Sequence, residues 1–237
     1  MLDGALIGAA AGMLTATGSM AYAVRGRSST FFGPSVYRGN PARPSLALTF
    51  DDGPSESTPR LLEVLAAHRI PATFFMCGKN VRRCPSIARA VAAAGHEIGN
   101  HTDSHPRMQF RSPEFIYREL ALAQETIRTT TDTVPRLFRA PYGVRWFGLR
   151  KAQERLGLLG VMWTVIGRDW RWPTRRVAKL LLDSARNGAI FCLHDGRTIE
   201  REPDIRATLD AVEYIIPVLK DRGFQFETVS QILCPVN

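Results

Sequence analysis

The chain has 237 residues, enough for one large domain or two small ones, and 45% of them are hydrophobic, which supports a sizeable core. Lys and Arg outnumber Asp and Glu by 31 to 22, a net charge of +9, which favours anionic surroundings such as a phospholipid surface or an acidic polymer. The basic residues are spread along the chain with no aromatic-interleaved cluster and no nucleic-acid motif, so nucleic acid is not an expected partner.

Residues 4–24 carry no charge and are bounded by Asp3 and Arg25. The run is just long enough to span a bilayer, though only mildly apolar. The leading reading is a membrane anchor. A cleaved signal peptide, with Ala21-Tyr22-Ala23 as a small-x-small site, and an N-terminal helix packed on the domain stand beside it. The absence of Lys and Arg before the run counts against a signal peptide, and Arg25 and Arg27 after it would leave the domain on the cytoplasmic face. The expected location is therefore membrane-associated through this segment, or secreted, with the sidedness open. Residues 25–44, with Gly33-Pro34, Pro41 and Pro44, read as a linker, and residues 45–237 as one domain.

From Leu46 onward, strand and helix signals alternate. The apolar run 46–50 is stopped by Asp51-Asp52-Gly53-Pro54 and reads as a buried strand with two carboxylates at its C-terminal lip. A helix over 58–68 and a strand over 72–76 follow, then an Ala-rich helix over 85–94 closed by Gly95. A short strand covers 97–100. Ser112, Pro113 and Glu114 open a helix running to 130. The pattern continues with a strand at 137–139, a helix at 147–156, a strand at 159–166, a helix at 174–187, a strand at 189–193, a helix at 203–222 and a strand at 224–229. Repeated strand–helix units imply parallel strands with right-handed crossovers, and about seven strands fit a barrel better than a short open sheet. The cysteines Cys77, Cys84, Cys192 and Cys234 show no metal-finger spacing. Cys192 reads as a small core residue, and Cys77 and Cys84 flank a short polar loop where a bridge stays open.

Parallel strands share one C-terminal rim, so the polar residues at their ends form a set. They are Asp51 and Asp52, His101 through His105, Arg139 through Tyr142, Asp169-Trp170 and His194-Asp195. His101 and His105 are four apart, and one helical turn would bring both imidazoles to one side. With a carboxylate they make a two-histidine, one-carboxylate metal site, suited to zinc and tolerant of other divalent ions. His68 and His96 read as structural.

Thr49-Phe50-Asp51-Asp52-Gly53-Pro54, His101-Thr102-x-x-His105, Arg139-x-Pro141-Tyr142, Asp169-Trp170 and the strand ending in His194 together resemble the NodB-homology polysaccharide deacetylases, carbohydrate esterase family four. The match runs from about Ser45 to Val229. The resemblance implies a distorted (β/α)7-type barrel and removal of acetyl groups from N-acetylglucosamine residues of a poly- or oligosaccharide: a chitooligosaccharide, peptidoglycan or a lipid-linked glycan. It implies a divalent metal, Zn2+ first with Co2+, Ni2+ or Mn2+ as alternatives, held by Asp52, His101 and His105. Asp51 would be the base that takes a proton from the attacking, metal-activated water, and Arg139 would orient and charge-balance Asp51. The backbone of Tyr142, next to Pro141, would stabilise the oxyanion. His194 would protonate the leaving amine, and Trp170 and Leu193 would wall the acetyl pocket. The partners implied are the N-acetylated glycan and an anionic membrane surface met through the N-terminal segment, with the chain a monomer.

Two departures from the family pattern stand out. Ile166 occupies the place of an acidic residue four before the tryptophan, so His194 should be less often protonated near neutral pH unless another carboxylate substitutes, and Asp169 is the only acid nearby. The family's Leu-x-His appears as Cys192-Leu193-His194, which changes the first leucine. Two other functions compete: an O-acetyl esterase acting on an acetylated xylan-like polymer, and a catalytically silent glycan-binding membrane scaffold. Arg145, Arg168 and Arg171 near the rim are expected to favour an anionic or membrane-proximal glycan.

Overall fold

The computed structural model describes residue 15 and residues 17–234. Within them all the β-pairings are parallel. The sheet runs β1 (Ser35–Val36), β6 (Leu159–Val161), β5 (Leu137–Phe138), β4 (Glu97–Asn100), β3 (Thr73–Met76), β2 (Ser45–Asp51), β8 (Ala189–His194) and β7 (Val165–Ile166), with β9 (Gln225–Phe226) paired to the start of β2. All seven residues of β2 are buried, as expected of a central parallel strand covered on both faces. Leu46, Leu48 and Phe50 face the helices, in one cluster with Leu65, Val212 and Ile216 of α2 (Thr58–His68) and α8 (Arg206–Asp221). The alternate residue Ala47 joins Phe75, Ile190, Val229 and Ile232 in a separate cluster. Val229 and Ile232 belong to α9 (Val229–Leu233), which starts with a Thr228/Gln231 capping box. This short helix packs on the half of β2 away from the two aspartates, leaving the other half free for polar residues.

Helix starts and stops follow local chemistry. Ser112 accepts a hydrogen bond from Phe115 N at the start of α5 (Pro113–Thr131), and Arg69 ends α2 in the left-handed conformation. The remaining helices are α3 (Gly78–Arg83), α4 (Pro85–Ala93), α6 (Leu149–Leu156) and α7 (Thr174–Ser184). The loop expected between Cys77 and Cys84 is α3, and all four cysteines are free.

Two expectations are corrected. The single strand expected over 159–166 is two strands in opposite halves of the sheet: β6 pairs with β5 and edge strand β1, and β7 forms the other edge beside β8. Met162, Trp163 and Thr164 cross the seam between the curled edges, with Met162 N donating to Val36 O and Thr164 N to Ile190 O. A curled sheet that stops short of full closure requires such a crossing, and a continuous apolar run hides it. The expected linker over 25–44 is instead part of the domain. It supplies edge strand β1, and residues 17–25 form a helix, α1, whose Ala23 and Val24 pack with Phe32 and Val144. Residues 1–14, most of the expected anchor, lie outside the described residues. Among the described residues no helix is long and apolar enough to cross a membrane.

Candidate active site

Strand register sets the site. Asp51, the last residue of β2, is the β-pair partner of His194 on β8, so two distant titratable residues stand side by side. Asp52 then turns away in a left-handed conformation (φ 73°), sending its carboxylate in a different direction from Asp51. The following loops press together closely. A Cβ on Gly53 would lie 2.1 Å from the Asp195 carboxylate, and one on Gly196 would lie 2.4 Å from Asp52 O. Only glycine permits that approach.

Asp52, His101 and His105 converge. Asp52 Oδ1 lies 3.3 Å from His101 Nε2 and 3.0 Å from His105 Nε2, and all three residues are buried. The expected helical turn is absent. Thr102 (φ 65°) and His105 (φ 56°) are left-handed, and this irregular turn brings the two rings within 4.9 Å. His101 Nδ1 is 2.8 Å from Arg139 O, and a carbonyl can only accept, so Nδ1 carries the proton and Nε2 presents a lone pair to Asp52. Thr198 N donates to Asp52 Oδ2 at 2.8 Å, leaving Oδ1, which is buried without a hydrogen-bond partner, to face the imidazoles. Converging lone pairs in a buried pocket are satisfied by a shared cation, and the three donor atoms lie within 4.8 Å of one another. The residues therefore fit a divalent metal.

Asp51 has different partners. Its Oδ1 accepts from Arg139 Nη1 at 2.6 Å, and its Oδ2 is 3.4 Å from Cys192 Sγ. Arg139 is fully buried. Its guanidinium also donates to Thr49 Oγ1 at 2.6 Å and to the carbonyls of Val161 and Met162 at the sheet seam. It lies over the Phe75 ring at 4.1 Å. One arginine thus fixes Asp51 and ties it to backbone carbonyls of the seam.

On the other side of Asp51, His194 Nδ1 is 2.9 Å from Asp169 Oδ1. Asp169 Oδ2 accepts from His194 N and from Thr208 Oγ1. Asp169 supplies the acidic partner that Ile166 cannot. The expectation of a less protonated His194 is overturned: burial lowers its pKa, but the adjacent Asp169 carboxylate outweighs burial and raises it to about 9. Trp170 stands edge-on to His194, with ring centroids 4.8 Å apart.

These groups open into one cavity of about 460 Å³, lined by Asp51, Asp52, both metal-site histidines, His194, Tyr142 and Trp170 among others. Pro141 and Leu193 are not among its lining residues. Alternation along β8 sends Leu193 to the helix side, where it is fully buried in the main core, and turns Cys192 toward Asp51. Sequence reading missed Arg25, Trp163, Arg197 and Thr198 as lining residues. The positions of Arg25 and Trp163 follow from how α1 and the seam fold, and no local motif marks them. Arg145 is not a rim cation: it is buried, and its guanidinium donates to Gly26 O and Ser29 O.

A family model described as Polysaccharide deacetylase matches residues 38–161. A chitooligosaccharide deacetylase of Bradyrhizobium sp. (strain ANU 289) is 38% identical over 197 residues, covering 79% of this chain and 90% of that protein. Among solved structures, the Bc1960 peptidoglycan N-acetylglucosamine deacetylase superposes with a TM-score of 0.79 at 30% identity, covering 84% of this chain and 92% of that one. BA3943 from Bacillus anthracis, a CE4 family pseudoenzyme, superposes with a TM-score of 0.78 at 28% identity, covering 86% of this chain and 70% of that one. The family model spans the strands and turns that carry Asp51, Asp52, both metal-site histidines and Arg139, and the Bradyrhizobium protein matches over most of both chains: this chain belongs to the polysaccharide deacetylase family.

Proposed function

We propose that this chain is a metal-dependent hydrolase that removes acetyl groups from N-acetylglucosamine units of a poly- or oligosaccharide, of the chitooligosaccharide or peptidoglycan type. The observation that carries this is the division of labour between adjacent aspartates. Asp52 faces His101 and His105, while Asp51 is held by Arg139 beside His194. The names of the Bradyrhizobium relative and of Bc1960 both refer to N-acetylated glycans, which supports the substrate class.

Asp52, His101 and His105 would hold the ion, and two imidazoles with one carboxylate suit Zn2+, with Co2+, Ni2+ or Mn2+ as alternatives. A divalent ion there supplies Lewis acidity, polarising a carbonyl oxygen and making water a better nucleophile. Asp51 lines the cavity and accepts the proton of the attacking water, with Arg139 orienting it and balancing its charge. His194, protonated on both nitrogens near neutral pH, keeps Nδ1–H on Asp169 and offers Nε2–H to the leaving amine nitrogen. The Tyr142 backbone, left-handed at φ 57°, lies at the cavity wall next to His105, where its N–H stabilises charge developing on the carbonyl oxygen. Trp170 and Ile166 wall the apolar side of the pocket, which suits an acetyl methyl.

Acetate release from chitooligosaccharides, with and without chelator, tests the proposal. Asp51→Asn is expected to lower turnover by about 100-fold or more while bound metal, counted by elemental analysis, stays near one per chain. His101→Ala is expected to lose both. An Asp51→Asn protein with ordinary turnover overturns the assignment of the base. Acetate released only from O-acetylated xylan would make the chain an esterase, and metal uptake with no acetate from any acetylated glycan would make it a scaffold.

A further inference from the structure

An aromatic patch outside the cavity has no part in the hydrolysis. Phe110 is 78% exposed, Phe31 61% and Phe147 50%. They form one contiguous cluster through Trp146 and Phe32, with ring centroids 4.9–5.7 Å apart. Isolated exposed apolar side chains are ordinary, whereas three large rings in one patch mark an interaction surface.

The charge around the patch is one-sided. It is built from residues 17–34, 106–112 and 140–150. These contain five exposed arginines (Arg25, Arg27, Arg107, Arg111 and Arg150), besides the buried Arg145, and no acidic residue or lysine. Arg107 stacks on the Tyr142 ring at 4.4 Å, and Arg150 donates to Thr30 O and Phe31 O, so exposed cations sit among the rings. The uncharged stretch 4–24 contains nearly all of α1, and α1 is joined to the patch by Ala23 and Val24 against Phe32. Several neighbouring rings meet nearly edge-on, at 82–86°, which gives no continuous flat platform for sugar stacking but does present ring edges for insertion.

We infer that this face docks peripherally on an anionic lipid bilayer, with Phe31, Phe110 and Phe147 at the headgroup–acyl boundary and the surrounding arginines on the lipid phosphates. Aromatic rings favour that boundary, and basic residues beside an anionic leaflet add electrostatic attraction. Arg25 and Tyr142 line the cavity and belong to the same chain stretches as the patch, so docking through the patch would bring the cavity toward the membrane surface. A glycan held close to the bilayer would then meet the site directly.

The test uses the full chain and flotation with phosphatidylcholine vesicles, with and without phosphatidylglycerol. The wild type is expected to float with the anionic vesicles and to be released by salt. Phe31→Ser/Phe110→Ser/Phe147→Ser is expected to bind them about tenfold more weakly or worse, while acetate release from a soluble chitooligosaccharide stays unchanged. If the triple variant folds poorly, lipids brominated near the headgroup provide the second measurement. They should quench the tryptophan fluorescence of the otherwise native chain, and Trp146→Phe should remove most of that quenching. A triple variant that floats like wild type would mean that residues 1–24 alone carry the binding, and overturns the inference. So would unchanged flotation with lost activity on long glycans, which would make the patch a sugar-binding surface.

Discussion

Asp169 shows how one side chain sets the protonation of another. Its carboxylate accepts from both the ring and the backbone N–H of His194, and Thr208 holds its second oxygen. Burial alone would discharge His194; the ion pair reverses this and carries its pKa to about 9, above the ordinary 6.5. A histidine raised in the folded state contributes stability that is complete below about 6.5 and is lost as pH rises through about 9. Asp169→Asn is therefore expected to drop the His194 pKa below 6.5, read by NMR titration of the chelated protein. It should also lower stability at pH 7 by about 2–3 kcal/mol, read by urea unfolding. An unchanged His194 titration would show that Asp52 and Asp51, not Asp169, hold the proton. With Asn in place, the basic limb of kcat should move to lower pH.

At the scale of elements, the metal-site turn is anchored by a helix it does not belong to. Glu119 on α5 accepts from Asp103 N at 3.1 Å, Ser104 N at 2.8 Å and Ser104 Oγ at 2.9 Å. Arg82 on α3 grips the Asp103 carboxylate with two nitrogens, at 2.7 and 2.9 Å. The turn between His101 and His105 contains two left-handed non-glycine residues, and such a conformation persists only when its surroundings enforce it. Glu119→Ala is expected to weaken metal affinity by about 10- to 100-fold, measured by competition with a chromophoric chelator, with Glu119→Gln recovering part of the loss. Equal affinity in Glu119→Ala would show that the turn holds its shape without α5.

Over the whole molecule, the segment before the first central strand is fastened to the barrel by Arg145. Its backbone N–H donates to Val24 O at 3.1 Å and its guanidinium to Gly26 O and Ser29 O. Burial lowers the pKa of Arg145, and among the described residues no carboxylate pairs with it, so two backbone carbonyls hold its Nη donors while Nε is left without a partner. Arg145→Met is expected to cost about 2–4 kcal/mol in urea unfolding and to open residues 25–34 to limited proteolysis. A variant as stable and as resistant as wild type would return that segment to the status of a linker.

The chemistry of the site was legible in the chain because strand ends punctuate the sequence. A buried apolar run must stop where the chain leaves the sheet, so Asp51-Asp52-Gly53-Pro54 and His194-Asp195 announce rim positions, and His101 and His105 declare their donors by type. Alternating strand and helix signals likewise carried the barrel class, since parallel strands need crossovers. Direction, partnership and closure were not local properties. Leu193 left the pocket for the core, while Cys192 stays buried as expected, because side-chain alternation is counted from a strand register that pairing alone sets. Asp169 met His194 through loops whose geometry no motif encodes, and 159–166 split because its two strands pair in opposite halves of a curled sheet. Residue type therefore determined which donors, acids and bases this protein has. The tertiary structure decided which of them face one another, because hydrogen-bond distance depends on three-dimensional packing between segments far apart in the chain.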